Sequence, residues 1–213
     1  MKKSSPSSLY QLGYVLEAKG NREEAATWLA KGLAMKHDEQ ASAALERLMG
    51  ESAGKKEAAA FIEAERRKAA KPAPDFTLAS LDGRSVRLSE LRGKVVMIDF
   101  WATWCGPCVS ELPNLAKLHK KYSANPNVVF LSIDTNELAT AIKPFMEKNG
   151  YSFTVLIGNE NPVSKQYEVE AIPTKFLIDR NGNIQFKHIG GGPDPKVIDE
   201  LSRELDQLLT AQN

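Results

Sequence analysis

The chain contains two cysteines, Cys105 and Cys108, three positions apart and just behind the run Lys94–Trp101 (KVVMIDFW). A nearly continuous apolar run of strand length is what a central strand buried on both faces requires. Trp104-Cys105-Gly106-Pro107-Cys108 then leads into a segment that reads as a helix from about Pro107 to Tyr122. Proline suits the first turn of a helix, where its missing N–H is no loss. Cys105 therefore lies between a buried strand and a helix N-terminus, where unpaired N–H groups and the helix dipole favour an anion. Its thiol is expected to ionise below the free value of about 8.5. Cys108 falls on the same side of the first turn and is expected to be more buried, placed to attack a mixed disulfide on Cys105.

Other uses of a cysteine pair fit less well. A secreted domain stapled by disulfides carries several, spread along the chain. A ring closed over two residues removes little chain entropy, so it stabilises little. A tetrahedral zinc site needs two further ligands, and His37, His119 and His188 are scattered in sequence. No metal or other cofactor is expected. Cys108 must lose a proton to attack, and two carboxylates are candidates to take it. Asp99 interrupts the apolar strand six residues before Cys105; Glu111 lies three residues beyond Cys108 on the same helix. The plain alternatives are an Asp at a strand edge and a solvent-facing Glu. Ile172-Pro173-Thr174 enters a strand from a loop. That makes Pro173 a candidate cis peptide, although the residues alone favour an ordinary trans proline. His119 and His188 read as surface residues.

Two compositions meet near residue 71. Residues 7–70 are rich in Ala, Glu, Lys, Arg and Leu without proline, a helical composition. Leu9, Leu12, Gly13, Leu16, Ala25, Leu29 and Gly32 have the spacing of a tetratricopeptide helical hairpin, with its turn at Gly20-Asn21. A more degenerate pair follows, with Ala43–Leu48 and Ala58–Ala70 on either side of Ser52-Ala53-Gly54. This region, residues 1–71, either covers part of the neighbouring domain or docks a partner protein; one or two repeats rarely stand alone. Lys71-Pro72-Ala73-Pro74 stops the helical run. Residues 72–213 then alternate strands and helices. A hairpin is expected at Asp82-Gly83, a central strand at Lys94–Trp101, and strands at Asn127–Ile133, Phe153–Ile157, Lys175–Ile178 and Ile184–Ile189. Helices are expected at Leu138–Asn149, near Pro162–Tyr167, and at Pro195–Leu209. This is an α/β arrangement, a mixed central sheet flanked by helices.

With 28 basic and 27 acidic side chains the formal charge is +1, which offers no electrostatic footprint for nucleic acid or an anionic membrane. No apolar stretch has the length needed to span a bilayer or to serve as a signal peptide.

Phe100–Cys108 together with Ile172-Pro173-Thr174 resembles the thioredoxin superfamily. Ala73-Pro74-Asp75-Phe76-Thr77-Leu78, Asp82-Gly83, Leu88–Lys94 and Glu111-Leu112-Pro113 are similar to its TlpA/ResA-like branch. The resemblance implies a thioredoxin fold over residues 72–213, and a thiol-disulfide oxidoreductase that reduces protein disulfides through Cys105 and Cys108. It also implies a cis Pro173 and a functional Glu111. Trp104, Gly106, Pro107, Ile172 and Pro173 are implied to seat the substrate. Asp99 matches the buried aspartate of ordinary thioredoxins, so having both acids departs from the branch pattern. The implied partners are protein disulfides and an upstream thiol donor. Many branch members are exported or tethered, some acting on apocytochromes, so an extracytoplasmic site with the export segment removed is expected; a cytoplasmic site is the alternative. Peroxiredoxins share the Pro-Asp-Phe lead-in, which makes thiol peroxidase a rival, as is a partner-docking protein using residues 1–71.

Overall fold

The computed structural model describes residues 5–50, 54–158 and 163–211. Ser52 and Ala53 of the expected inter-helix turn, and Pro162 at the start of an expected helix, lie outside the described residues. The chain divides into two compact units, Met1–Ala70 and Lys71–Asn213.

The first unit holds four helices, α1 (Pro6–Ala18), α2 (Arg22–Met35), α3 (Glu39–Met49) and α4 (Gly54–Ala69). The Ser5 side chain caps α1 by accepting the Ser8 N–H, and Asp38 caps α3 by accepting that of Ala41. Gly20, at φ +81°, turns the chain between α1 and α2. Leu29, Ala30, Ala41 and Leu45 are sealed in a core with Tyr10 and Leu33. The small residues at Gly13 and Gly32 let α1 and α2 approach: a Cβ on Gly32 would lie 2.4 Å from the Tyr10 ring, and one on Gly13 2.7 Å from Leu29. Tyr10 then donates its hydroxyl to the Gly32 carbonyl at 3.1 Å.

In the second unit a six-stranded sheet runs in the order β1 (Lys71–Pro72), β8 (Asn183–Ile189), β7 (Thr174–Ile178), β4 (Val95–Trp101), β5 (Val128–Asp134), β6 (Thr154–Ile157). β4, β5 and β6 are parallel; β7, β8 and β1 are antiparallel to their neighbours. β2 (Thr77–Ala79) and β3 (Ser85–Arg87) form a separate hairpin, followed by a single 3-10 turn at Leu88–Leu91. The helices are α5 (Gly106–Tyr122), α6 (Ala139–Asn149), α7 (Val163–Gln166) and α8 (Pro195–Thr210). Lys71-Pro72, which sequence reads simply as a helix stop, adds an edge strand, a place in a sheet where proline need cost no ladder bond.

β4 is buried at every residue, and its side chains divide by parity. Val96, Ile98 and Phe100 join Phe76, Leu88 and Tyr167 on one face. Val95, Met97 and Trp101 join the α5 and α8 leucines and both cysteines on the other. Asp99 shares the parity of this second face, so the strand directs it under α5. No described helix is long and apolar enough to cross a membrane.

Candidate active site

The turn from β4 into α5 puts Cys105 at the N-cap of the helix, where its Sγ accepts the Cys108 N–H at 3.2 Å. Cys105 and Cys108 are joined in a disulfide, and both are buried. Ile172–Pro173 is a cis peptide bond, and the Ile172 carbonyl oxygen lies 3.8 Å from Cys105 Sγ. The residues alone favour a trans proline here, whereas the family resemblance implies the cis form that is found. Around the pair, Trp104 is 64% exposed, and Gly106 and Pro107 are exposed as well. Trp104 donates its indole N–H to Asn136 at 3.2 Å. Glu137 accepts the Thr103 N–H at 2.6 Å, and Asp134 accepts those of Asn136 and Glu137. The loop after β5 thereby clamps the segment that carries Trp104. Burial pushes the Asp134 carboxyl up to about 7.

Both expected carboxylates are inside the protein, which rules out the edge and solvent alternatives. Asp99 is 5% exposed and Glu111 is fully buried. Burial raises Asp99 to about 7, against the pull of Lys175 and with a push from Glu111. Burial raises Glu111 also, while the charge and hydrogen bond of Lys175 act to lower it. Lys175 Nζ donates to Glu111 Oε2 at 2.6 Å, both side chains having almost no exposure. Register explains the meeting: Lys175 on β7 lies opposite Asp99 on β4, which lies opposite Ser132 on β5, one row under α5.

Lys175 escaped the sequence reading because a lysine at the mouth of a short strand looks like a solvated end. Gly191 was missed too. A Cβ there would come within 2.0 Å of Glu111 Oε2 and 2.8 Å of the Pro173 ring, so its backbone closes the Glu111 pocket. The signal was the run Gly190-Gly191-Gly192. His119 and His188 are not the surface residues expected. His119 is half-buried edge-on to Phe130 and Phe153, and burial lowers its pKa. His188 pairs with Glu204 at 2.7 Å. The fold also brings Glu200 to this pair, with the ligand atoms of all three within 4.8 Å, a grouping that sequence spacing concealed.

Residues 69–187 match the model of the AhpC/TSA family. The chain belongs to that family. A thiol-disulfide oxidoreductase ResA from Bacillus cereus (strain ZK / E33L) is 35% identical over 130 residues, 61% of this chain and 75% of the relative. A candidate thiol:disulfide interchange protein DsbE from Chlorobium tepidum is similar in structure, with a TM-score of 0.59 and 33% identity, covering 65% of this chain and 96% of that one. So is an exposed lipoprotein thioredoxin (Etrx1) from Streptococcus pneumoniae strain TIGR4, with a TM-score of 0.54, 28% identity, and coverage of 62% and 100%. The second unit is a thioredoxin fold, and the chain is a thiol-disulfide oxidoreductase acting on protein disulfides.

Proposed function

We propose that the protein works as a reductase, with Cys105 as the attacking thiol and Cys108 as the resolving one. In the reduced state the Cys105 thiolate attacks one sulfur of a substrate disulfide; a Cys105–substrate bond forms and the first substrate thiolate leaves. Cys108 then gives up its proton to a buried carboxylate and attacks Cys105. The Cys105–Cys108 bond forms, the second substrate thiolate leaves, and two electrons have passed to the substrate. Asp99 and Glu111 are the two candidates to take that proton; burial raises Asp99 to about 7 and raises Glu111 above its ordinary value. Trp104, Gly106, Pro107, Ile172 and Pro173 form the seat for the substrate chain. A dithiol donor of lower potential restores the reduced pair.

One observation carries this reading: Cys105 caps a helix N-terminus, is joined to Cys108, and is flanked by the exposed Trp104, Gly106 and Pro107. The direction rests on the Gly-Pro dipeptide, shared with reducing thioredoxins of about −270 mV. Residues 1–71 are read as a separate tetratricopeptide-like docking region, supported by their own apolar core. An extracytoplasmic site of action is supported by the likeness to an exposed lipoprotein.

The test is reduction of a model protein disulfide by the prereduced chain. Cys105→Ser brings the rate down to the uncatalysed level. Cys108→Ser accumulates a one-to-one mixed disulfide on Cys105, visible by mass. Unimpaired turnover by Cys108→Ser would refute the two-step scheme, and a preference for hydroperoxide over disulfide would favour a peroxidase.

A further inference from the structure

Two carboxylates and one ammonium share the buried space behind the cysteine pair, and the three are not arranged symmetrically. Lys175 Nζ is bonded to Glu111 Oε2 at 2.6 Å and reaches the Gly190 carbonyl at 3.4 Å. Glu111 is shut in by Gly191 and the Pro173 ring. Asp99 Oδ1 and Glu111 Oε1 are both buried without a hydrogen bond from any described residue, but Asp99, across the strand register from Lys175, has no bond of the kind that Lys175 makes to Glu111 Oε2. Asp99 instead borders a cavity lined also by Ser132, His119, Leu115 and Phe153.

A dry site holding one cation keeps one carboxylate ionised without net charge; a second leaves an uncompensated anion. The cation is committed by geometry to Glu111. We propose that Lys175 is a positioning residue that holds Glu111 as a permanent carboxylate and so assigns the exchangeable proton to Asp99. The inference rests on the two-step reading above and deepens it by dividing the work of the two acids. When Cys108 attacks Cys105, its proton passes to the Asp99 carboxylate. It leaves again when a dithiol donor reopens the disulfide and Cys108 is reprotonated. Glu111 neither gives nor takes a proton; with Lys175 it forms a neutral floor beneath Pro173.

The other groups around this trio are already engaged. His188 on β8 acts on Glu111 electrostatically but is bonded to Glu204 of α8. His119, further along α5, is turned edge-on to Phe130 and Phe153, and burial keeps it from charging readily. On β5, Asp134 is occupied by the backbone N–H groups of Asn136 and Glu137. Lys175 is thus the cation with a direct bond into the pair among the described residues.

The test is a carbon NMR titration of the oxidised full chain with labelled Asp and Glu carboxyls, assigned with Asp99→Asn and Glu111→Gln. The Asp99 carbon should pass through an inflection in the neutral range while the Glu111 carbon keeps its carboxylate position from about pH 6 upward. In Lys175→Met the Glu111 midpoint should rise by about one pH unit or more. A neutral-range inflection of Glu111 in the unsubstituted protein overturns the proposal whether or not the variant folds. So does a Glu111 midpoint unmoved in a folded Lys175→Met. Reduction of a model disulfide is read separately. Its failure alongside the expected titrations would sink the reductase reading and leave the charge assignment standing.

Discussion

At Asp99 a single side chain works against the stability of its own fold. The folded carboxyl is raised from 3.8 to about 7, so the native state holds a proton that the unfolded chain has released. Its contribution to stability is therefore most favourable below about pH 4 and falls as pH rises toward 7, because the unfolded state binds fewer protons at this group throughout that window. Asp99→Asn removes the loss. Urea denaturation at pH 8 should show the variant more stable than the parent by up to about 4 kcal/mol, and the gain should vanish near pH 4. Equal gains at both pH values would mean that Asp99 is not raised. Glu111→Gln should have the opposite sign. It strips a fully buried lysine of its partner, a change that costs about 3–5 kcal/mol at pH 7 in the same measurement.

Among the elements, the β4–α5 turn and the Gly190–Gly192 loop build the site from opposite sides. A methyl on Gly191 would collide with Glu111 and Pro173, whereas one on Gly192 meets nothing within 4 Å. Gly191→Ala should cost about 1–3 kcal/mol and slow disulfide reduction, while Gly192→Ala should leave both alone. Matching behaviour of the two variants would show that the loop does not close on Glu111. The contrast explains what sequence could tell. β4 was legible because an apolar run of seven residues broken only by Asp99 has few homes, and Glu111 because i,i+3 spacing holds on any helix. The Lys175–Glu111 pair spans 64 residues and exists because β7 runs antiparallel to β4 in one register. The Glu137–Thr103 clamp spans 34 residues and has the same kind of origin. No local pattern encodes either. The half-burial of His119 was hidden likewise, since its aromatic neighbours come from β5 and the segment before β6.

The whole molecule joins a redox unit to a helical unit with a core of its own. If the helical unit, residues 1–70, serves to dock a partner, the chemistry should belong entirely to residues 71–213. That segment, expressed alone, should fold cooperatively and reduce a model protein disulfide at the rate of the full chain; loss of activity on removing the helices would assign them a part in the chemistry. The reductase reading depends on the Cys105–Cys108 pair donating electrons. Its equilibrium reduction potential, measured by titration against dithiothreitol or glutathione, tests that most directly. A value near or below about −270 mV is predicted. A value near the −120 mV or so of strong disulfide donors, or the absence of a Cys105–Cys108 disulfide at any poise, would contradict it.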